Sequence, residues 1–81
     1  MLKKLKNRTL YPLKIEFERE EDGRWIAEIS KLPGAMAYGK TKKEAAKQAY
    51  IIALRILADN IERGRTPLFV SHLFGHELAH R

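Results

Sequence analysis

From Leu13 to Glu18, apolar and charged positions alternate: Leu13, Ile15 and Phe17 against Lys14, Glu16 and Glu18. A period of two marks a half-buried strand. The preceding Tyr11-Pro12 step fits this, because proline is tolerated at the start of a strand or on an edge. Glu20-Glu21-Asp22-Gly23 then predicts a turn, with Asp-Gly as its strongest signal. Trp25, Ala27 and Ile29 alternate with Ile26 and Glu28 in a second strand, so the two should pair as an antiparallel hairpin with one apolar face. Leu32-Pro33-Gly34 breaks that strand, and the short apolar run Ala35 to Tyr38 predicts a third, ending at Gly39, where we expect a backbone conformation that other residues resist.

The period then changes. Thr41 and Glu44 form a capping box, in which the Thr hydroxyl accepts from one early amide and the Glu reaches back to the cap amide. The good helix formers from Ala45 to Ala58 follow, with no Gly or Pro before Gly64. We therefore expect a helix from about Lys42 to Arg63, closed by Gly64 and kept from continuing by Pro67. Positions 46, 49, 50, 53, 54, 57 and 61 form one broad apolar face. Ile51, Ile52 and Ile56 widen it beyond what a single sheet needs. These three, with Leu68, Phe69 and Phe74 of the tail, are the expected oligomer interface, since a small monomer does not leave a large contiguous apolar patch in water. A dimer or a dimer of dimers is the expected state.

The tail is ambiguous by pattern. Leu68-Phe69-Val70 suits a short fourth strand, and Ser71 suits the cap of a terminal helix running to His80, with Leu73, Phe74 and Leu78 inward. The expected class is α+β: a three-stranded antiparallel meander covered by one long helix. Its divisions are a basic arm over 1–9, a domain over 10–64 and a tail over 65–81.

Charge changes the picture by its distribution more than by its sum of +6. Residues 1–8 carry Lys3, Lys4, Lys6 and Arg8 with no acid, and Lys40, Lys42, Lys43 and Lys47 gather at the helix start. Glu16, Glu18, Glu20, Glu21 and Asp22 crowd the first hairpin against Arg19 alone. The expected molecule has an acidic hairpin and a basic helix start. No cysteine is present, which excludes disulfides and thiolate metal sites and fits a cytoplasmic location. The basic start lacks the apolar segment of a signal peptide, and no apolar run is long enough to span a membrane.

The order Asp22-Gly23, Trp25, Leu32-Pro33-Gly34 and Gly39-Lys40-Thr41-Lys42-Lys43-Glu44-Ala45 resembles the HicB-like antitoxins of HicA–HicB toxin–antitoxin systems, over about residues 11–64. Lys31 and Ala35 stand where that family often has Asp and Cys. The resemblance implies a partial RNase H-like β-β-β-α fold. It also implies a protein that binds a small RNA-cleaving HicA-like toxin and covers its active surface, as part of a homo-oligomer. Many relatives carry a further DNA-binding domain; with 17 residues after Gly64, none is expected here. We expect the partner to meet Glu16, Glu18, Glu20, Glu21 and Asp22, because acids can compete with RNA phosphates for a basic surface. No catalytic residue and no cofactor is expected: RNase H chemistry needs carboxylates clustered around Mg²⁺, and these acids read as a solvated hairpin.

Two rivals come from other classes. A nucleic-acid-binding or scaffold module would use the basic arm and helix start, with Trp25 and Tyr38 stacking on bases. A zinc hydrolase would use His76-Glu77-Leu78-Ala79-His80, a literal H-E-x-x-H. The motif ends one residue before the sequence does and lacks a third ligand downstream. His72 lies upstream, but on a straight helix it would sit about 12 Å from His80 along the axis, while both nitrogens must lie about 2 Å from one zinc. His76 and His80 are thus candidates for incidental or structural metal binding, or for a site shared between subunits, and not for an active hydrolase.

Overall fold

The computed structural model describes residues 13–75. Strands β1 (Glu16–Arg19), β2 (Trp25–Glu28) and β3 (Met36–Gly39) form one antiparallel sheet in the order β1-β2-β3. Helix α1 (Lys42–Glu62) covers one face of it, and a short helix α2 (Leu68–Leu73) follows. The meander-plus-helix architecture expected from the pattern is the one present.

Each turn has a local cause. Gly23 N–H donates to Glu20 O at 2.9 Å with Gly23 at φ +93°, and Glu20 N–H donates across the hairpin to Arg24 O at 2.7 Å. The β2–β3 connection closes through Ile29 N–H to Ala35 O at 2.9 Å and Ala35 N–H to Leu32 O at 3.0 Å, with Gly34 at φ +92°. That turn folds Ile29, Leu32 and Ala35 inward, where they join Ala53 and Leu57 in one buried cluster. A second cluster is almost all methyl groups: Ala27, Ala37, Ala45 and Ala49.

Gly39 is required for a different reason from the one expected. Its φ is not positive. A β-carbon there would stand 2.8 Å from Ala45 Cα and 2.9 Å from the Glu44 carbonyl carbon, so the strand end and the helix start touch backbone to backbone. This approach also sets the rotation of α1. The buried line runs through Ala45, Ala49, Ala53 and Leu57, with Ile52 and Ile56 packed beside it. Tyr50, Leu54 and Ile61, placed inward by the sequence pattern, are exposed instead. Small side chains take the seam because only they fit between the two backbones.

The cap of α1 also differs in one bond. Thr41 Oγ1 accepts from Glu44 N–H at 3.0 Å, but Glu44 reaches the amide of Lys40, not that of Thr41. The helix ends at a Schellman motif, with Gly64 N–H to Ile61 O at 3.0 Å, Arg65 N–H to Asn60 O at 2.8 Å and Gly64 at φ +86°.

The tail is helical where a fourth strand was one of two expectations: Leu68, Phe69 and Val70 open α2. Pro67, at φ −62°, stands at the cap, and Ser71 lies inside the helix, donating to Leu68 O at 3.0 Å. Val70 is buried and Phe69 packs on the first cluster, while Leu73 and Phe74, expected inward, are exposed. The basic arm, Pro12, Leu78 and the His76–His80 motif lie outside the described residues.

Candidate functional site

The strand register sorts the acids. Glu16 stands directly opposite Glu28 and Glu18 opposite Ile26, while Ile26 and Glu28 face Tyr38 and Met36 on the other side. Opposed residues share a face, so Glu16, Glu18, Glu28, Ile26, Met36 and Tyr38 lie together on the sheet face away from α1. The three carboxylates are exposed, as are Met36 and Tyr38. The outer face is therefore acidic over β1 and β2 and apolar over β3.

The hairpin tip continues the acidic half. Glu21 and Asp22 are exposed and Glu20 is half-buried. Asp22 is already partnered: its Oδ1 accepts from Arg24 N–H at 3.0 Å and its Oδ2 from Arg24 Nε at 2.9 Å. The backbone N–H is the larger cause, with the guanidinium behind it, and together they hold the Asp22 carboxyl below its ordinary value despite an opposing effect of desolvation. Arg24 also lies 4.5 Å over the Tyr38 ring. Glu16 has a long contact to Lys14 Nζ at 3.7 Å between two exposed side chains, a pair of little energetic worth.

Of the expected partner-binding residues, the fold brings Glu16 and Glu18 onto one surface, puts Glu20 and Glu21 at its end, and engages Asp22 with Arg24. Glu28 and Met36 share that surface without having been singled out in the sequence, and Tyr38 had been singled out only as a base-stacking candidate. Glu28 was legible as the polar partner of Ala27 in β2. Met36 and Tyr38 were legible from β3, where the small Ala35 and Ala37 alternate with them and take the crowded helix side.

The opposite face gives the basic and aromatic residues other work. Lys42 Nζ lies 5.1 Å from the Phe17 ring centre and 5.5 Å from that of Trp25, and Arg19 lies 5.5 Å from Trp25. Trp25 is half-buried under two cations. Tyr38 is on the other side of the sheet under Arg24, so the two rings do not form one stacking platform. At the start of α1, Thr41 and Glu44 occupy the amides of Glu44 and Lys40, donors that an anion would need.

The expected oligomer residues are dispersed. Ile52, Ile56 and Phe69 pack against the chain's own core, Ile51 is half-buried, and Leu68 and Phe74 are exposed at 78% and 77%. An apolar groove lies elsewhere: it measures ≈ 450 Å³ and runs between α1 and the segment ahead of β1, lined by Leu13, Ile15, Ile29, Tyr50, Ala53, Leu54 and Leu57. Among the described residues there is no cluster of His, Cys, Asp and Glu that could hold a metal, and His72 is exposed on α2. No described helix is long and apolar enough to cross a membrane. No protein-family model matches the chain, and no curated protein or solved structure is significantly similar to it.

Proposed function

We propose that the chain is an antitoxin-like protein that binds a small basic HicA-like RNase and covers its RNA-binding surface. The observation that carries this reading is the face-to-face placement of Glu16 and Glu28, with Glu18 beside them. Like charges directly opposed on a sheet are destabilising, and a cationic partner would relieve that repulsion. Met36 and Tyr38 on the same face supply apolar area for a lasting contact. The ordered residues from Asp22-Gly23 to Glu44-Ala45 support the same assignment by resemblance. No step of catalysis is needed: the acids occupy the sites that RNA phosphates would take.

The test is co-purification and an RNA-cleavage assay with the product of the neighbouring reading frame. The expected outcome is a small basic protein that cleaves RNA and loses that activity when this chain is added. Substituting Glu16, Glu18 and Glu28 together by Gln should restore cleavage. If the triple variant protects RNA as well as the natural chain does, the outer sheet face is not the contact. If the chain binds RNA itself and has no protein partner, the nucleic-acid-module reading replaces this one.

A further inference from the structure

Strands β1 and β3 are the two edges of the sheet. β3 ends in the backbone contact of Gly39 with α1, and α1 lies over β3 and β2. β1 is left open. Among the described residues nothing pairs with its outer side, and Leu13, Ile15 and Phe17 are only half-buried on the helix side. A cleft of ≈ 560 Å³ has Ile15, Phe17 and Lys42 in its lining together with Glu16, Glu18 and Glu28. These residues come from both faces of the sheet, so the cleft follows the open edge. The apolar groove with Tyr50 and Leu54 in its lining adjoins it and shares Ile15.

The backbone of that edge is set out for a further strand. Glu20 N–H donates to Arg24 O at 2.7 Å across the hairpin, so the backbone groups of Glu20 face β2. In an antiparallel pair this direction alternates along the strand. Those of Glu18 and Glu16 therefore face β2 as well, and those of Ile15, Phe17 and Arg19 point to the open side. Unpaired edge groups of this kind are a template for a strand of another chain.

The side chains decide which strand fits. On the outer side an added strand would lie beside Glu16 and Glu18, with Glu28 on the next strand in. On the helix side it would lie beside Ile15 and Phe17, where Lys42 stands 5.1 Å from the Phe17 ring and Arg19 5.5 Å from that of Trp25. A basic residue is favoured on the first side by the carboxylates and opposed on the second by these two cations. An apolar residue is favoured on the second, where it would cover Ile15 and Phe17. We propose that the β1 edge captures an extended segment of a partner protein in which basic and apolar residues alternate, the basic ones over Glu16 and Glu18 and the apolar ones over Ile15 and Phe17. Main-chain bonds supply the hold and the alternation supplies the choice. The inference deepens the antitoxin reading and rests on it for the partner's identity: the segment is then a surface strand of the basic toxin.

The test is hydrogen exchange of the full chain read by NMR, with a short capped peptide of alternating lysine and valine as the probe. In the chain alone, the amides of Ile15, Phe17 and Arg19 should exchange fast and those of Glu16 and Glu18, bonded to β2, slowly. The peptide should bind with a dissociation constant of about 0.1–1 mM. At saturation it should slow the first three amides about tenfold or more and leave the other two little changed. The same peptide N-methylated at alternate residues, and one with its lysines and valines in separate blocks, should have no such effect. Glu16→Lys with Glu18→Lys should weaken binding of the lysine–valine peptide about tenfold and favour a glutamate–valine peptide instead. Three amides indifferent to the peptide, or slowed equally by the N-methylated one, would overturn the proposal. So would protection already present in the chain alone: lost on dilution, it would mean that a second copy holds the edge, and kept at every dilution, that the chain covers its own edge. A toxin neutralised while the three amides still exchange fast would sink this proposal and leave the antitoxin reading standing. A chain that binds the peptide at this edge but binds no toxin would do the reverse.

Discussion

An alanine methyl at position 39 would meet the backbone of Glu44 and Ala45 at under 3 Å. Backbone cannot rotate away as a side chain can, so Gly39→Ala must push the helix off the sheet. The expected cost is that of severe overpacking, about 2–3 kcal/mol, which thermal unfolding would read as a loss of roughly 10–20 °C in a domain of this size. Gly34→Ala is the comparison. There the added carbon meets only Ile56 Cδ1 at 3.5 Å, but φ is +92°, so the cost is conformational and smaller, about 1–2 kcal/mol. Asp22 makes a second residue-scale prediction. Its folded pKa is lowered, so its contribution to stability is present above the unfolded pKa and is lost as pH falls through the folded one. Carboxyl NMR titration should place Asp22 below the reference value of 3.8. Arg24→Ala should bring it only part of the way back, because the backbone N–H of residue 24, the larger cause, survives the substitution. Full return to the reference value would show that the guanidinium dominates.

At the scale of elements, the cap of α1 offers the cleanest measurement. Thr41 Oγ1 satisfies the Glu44 amide in an exposed setting, so Thr41→Ala should cost about 1 kcal/mol by denaturant unfolding, with the slope unchanged. The helix was legible because its signals are local: Thr41 and Glu44 at one end, Gly64 and Pro67 at the other. The strands were legible because alternation survives in a half-buried sheet. What resisted reading was set by contact between elements. Tyr50 and Leu54 sit at helical spacing with Ala46 and Ala53, and nothing along the chain says that the alanines, not the large residues, must face the sheet. That follows from the closeness of Gly39 to Ala45, which appears only once β3 and α1 have met. The same limit applies to Leu68-Phe69-Val70. Their apolar, β-prone side chains suit a strand, yet Pro67 and the Ser71 hydroxyl wind them into a turn and a half of helix with Val70 inward. At the candidate site, the acids of β1 were visible in sequence, but Glu28 joined them only through the β1–β2 register.

For the whole molecule, charge is biased by face, with Arg24 over Tyr38 and Lys14 beside Glu16 as cations on the acidic side. The carboxylates of Glu16, Glu18 and Glu28 occupy one side of the sheet, while Lys42 and Arg19 lie over aromatic rings on the other. A basic partner approaching the acidic side should be steered over long range, an effect felt mainly in the on-rate. Neutralising Glu18, Glu20 and Glu21 together should slow association at low salt. The difference from the natural chain should vanish near about 0.5 M salt, where screening acts within a few Å. Stopped-flow rates equal at every ionic strength would remove steering from the account. The seam that separates the two faces is made of Ala27, Ala37, Ala45 and Ala49. Alanine has no rotamers to freeze, so this contact is ordered without side-chain entropy cost. It also has no alternative packing to fall into. At this seam helix and sheet therefore meet without adjustable side chains, so a displacement imposed on the acidic face reaches α1 first through the four alanines, with Phe17, Trp25 and Ile52 packed at their margin.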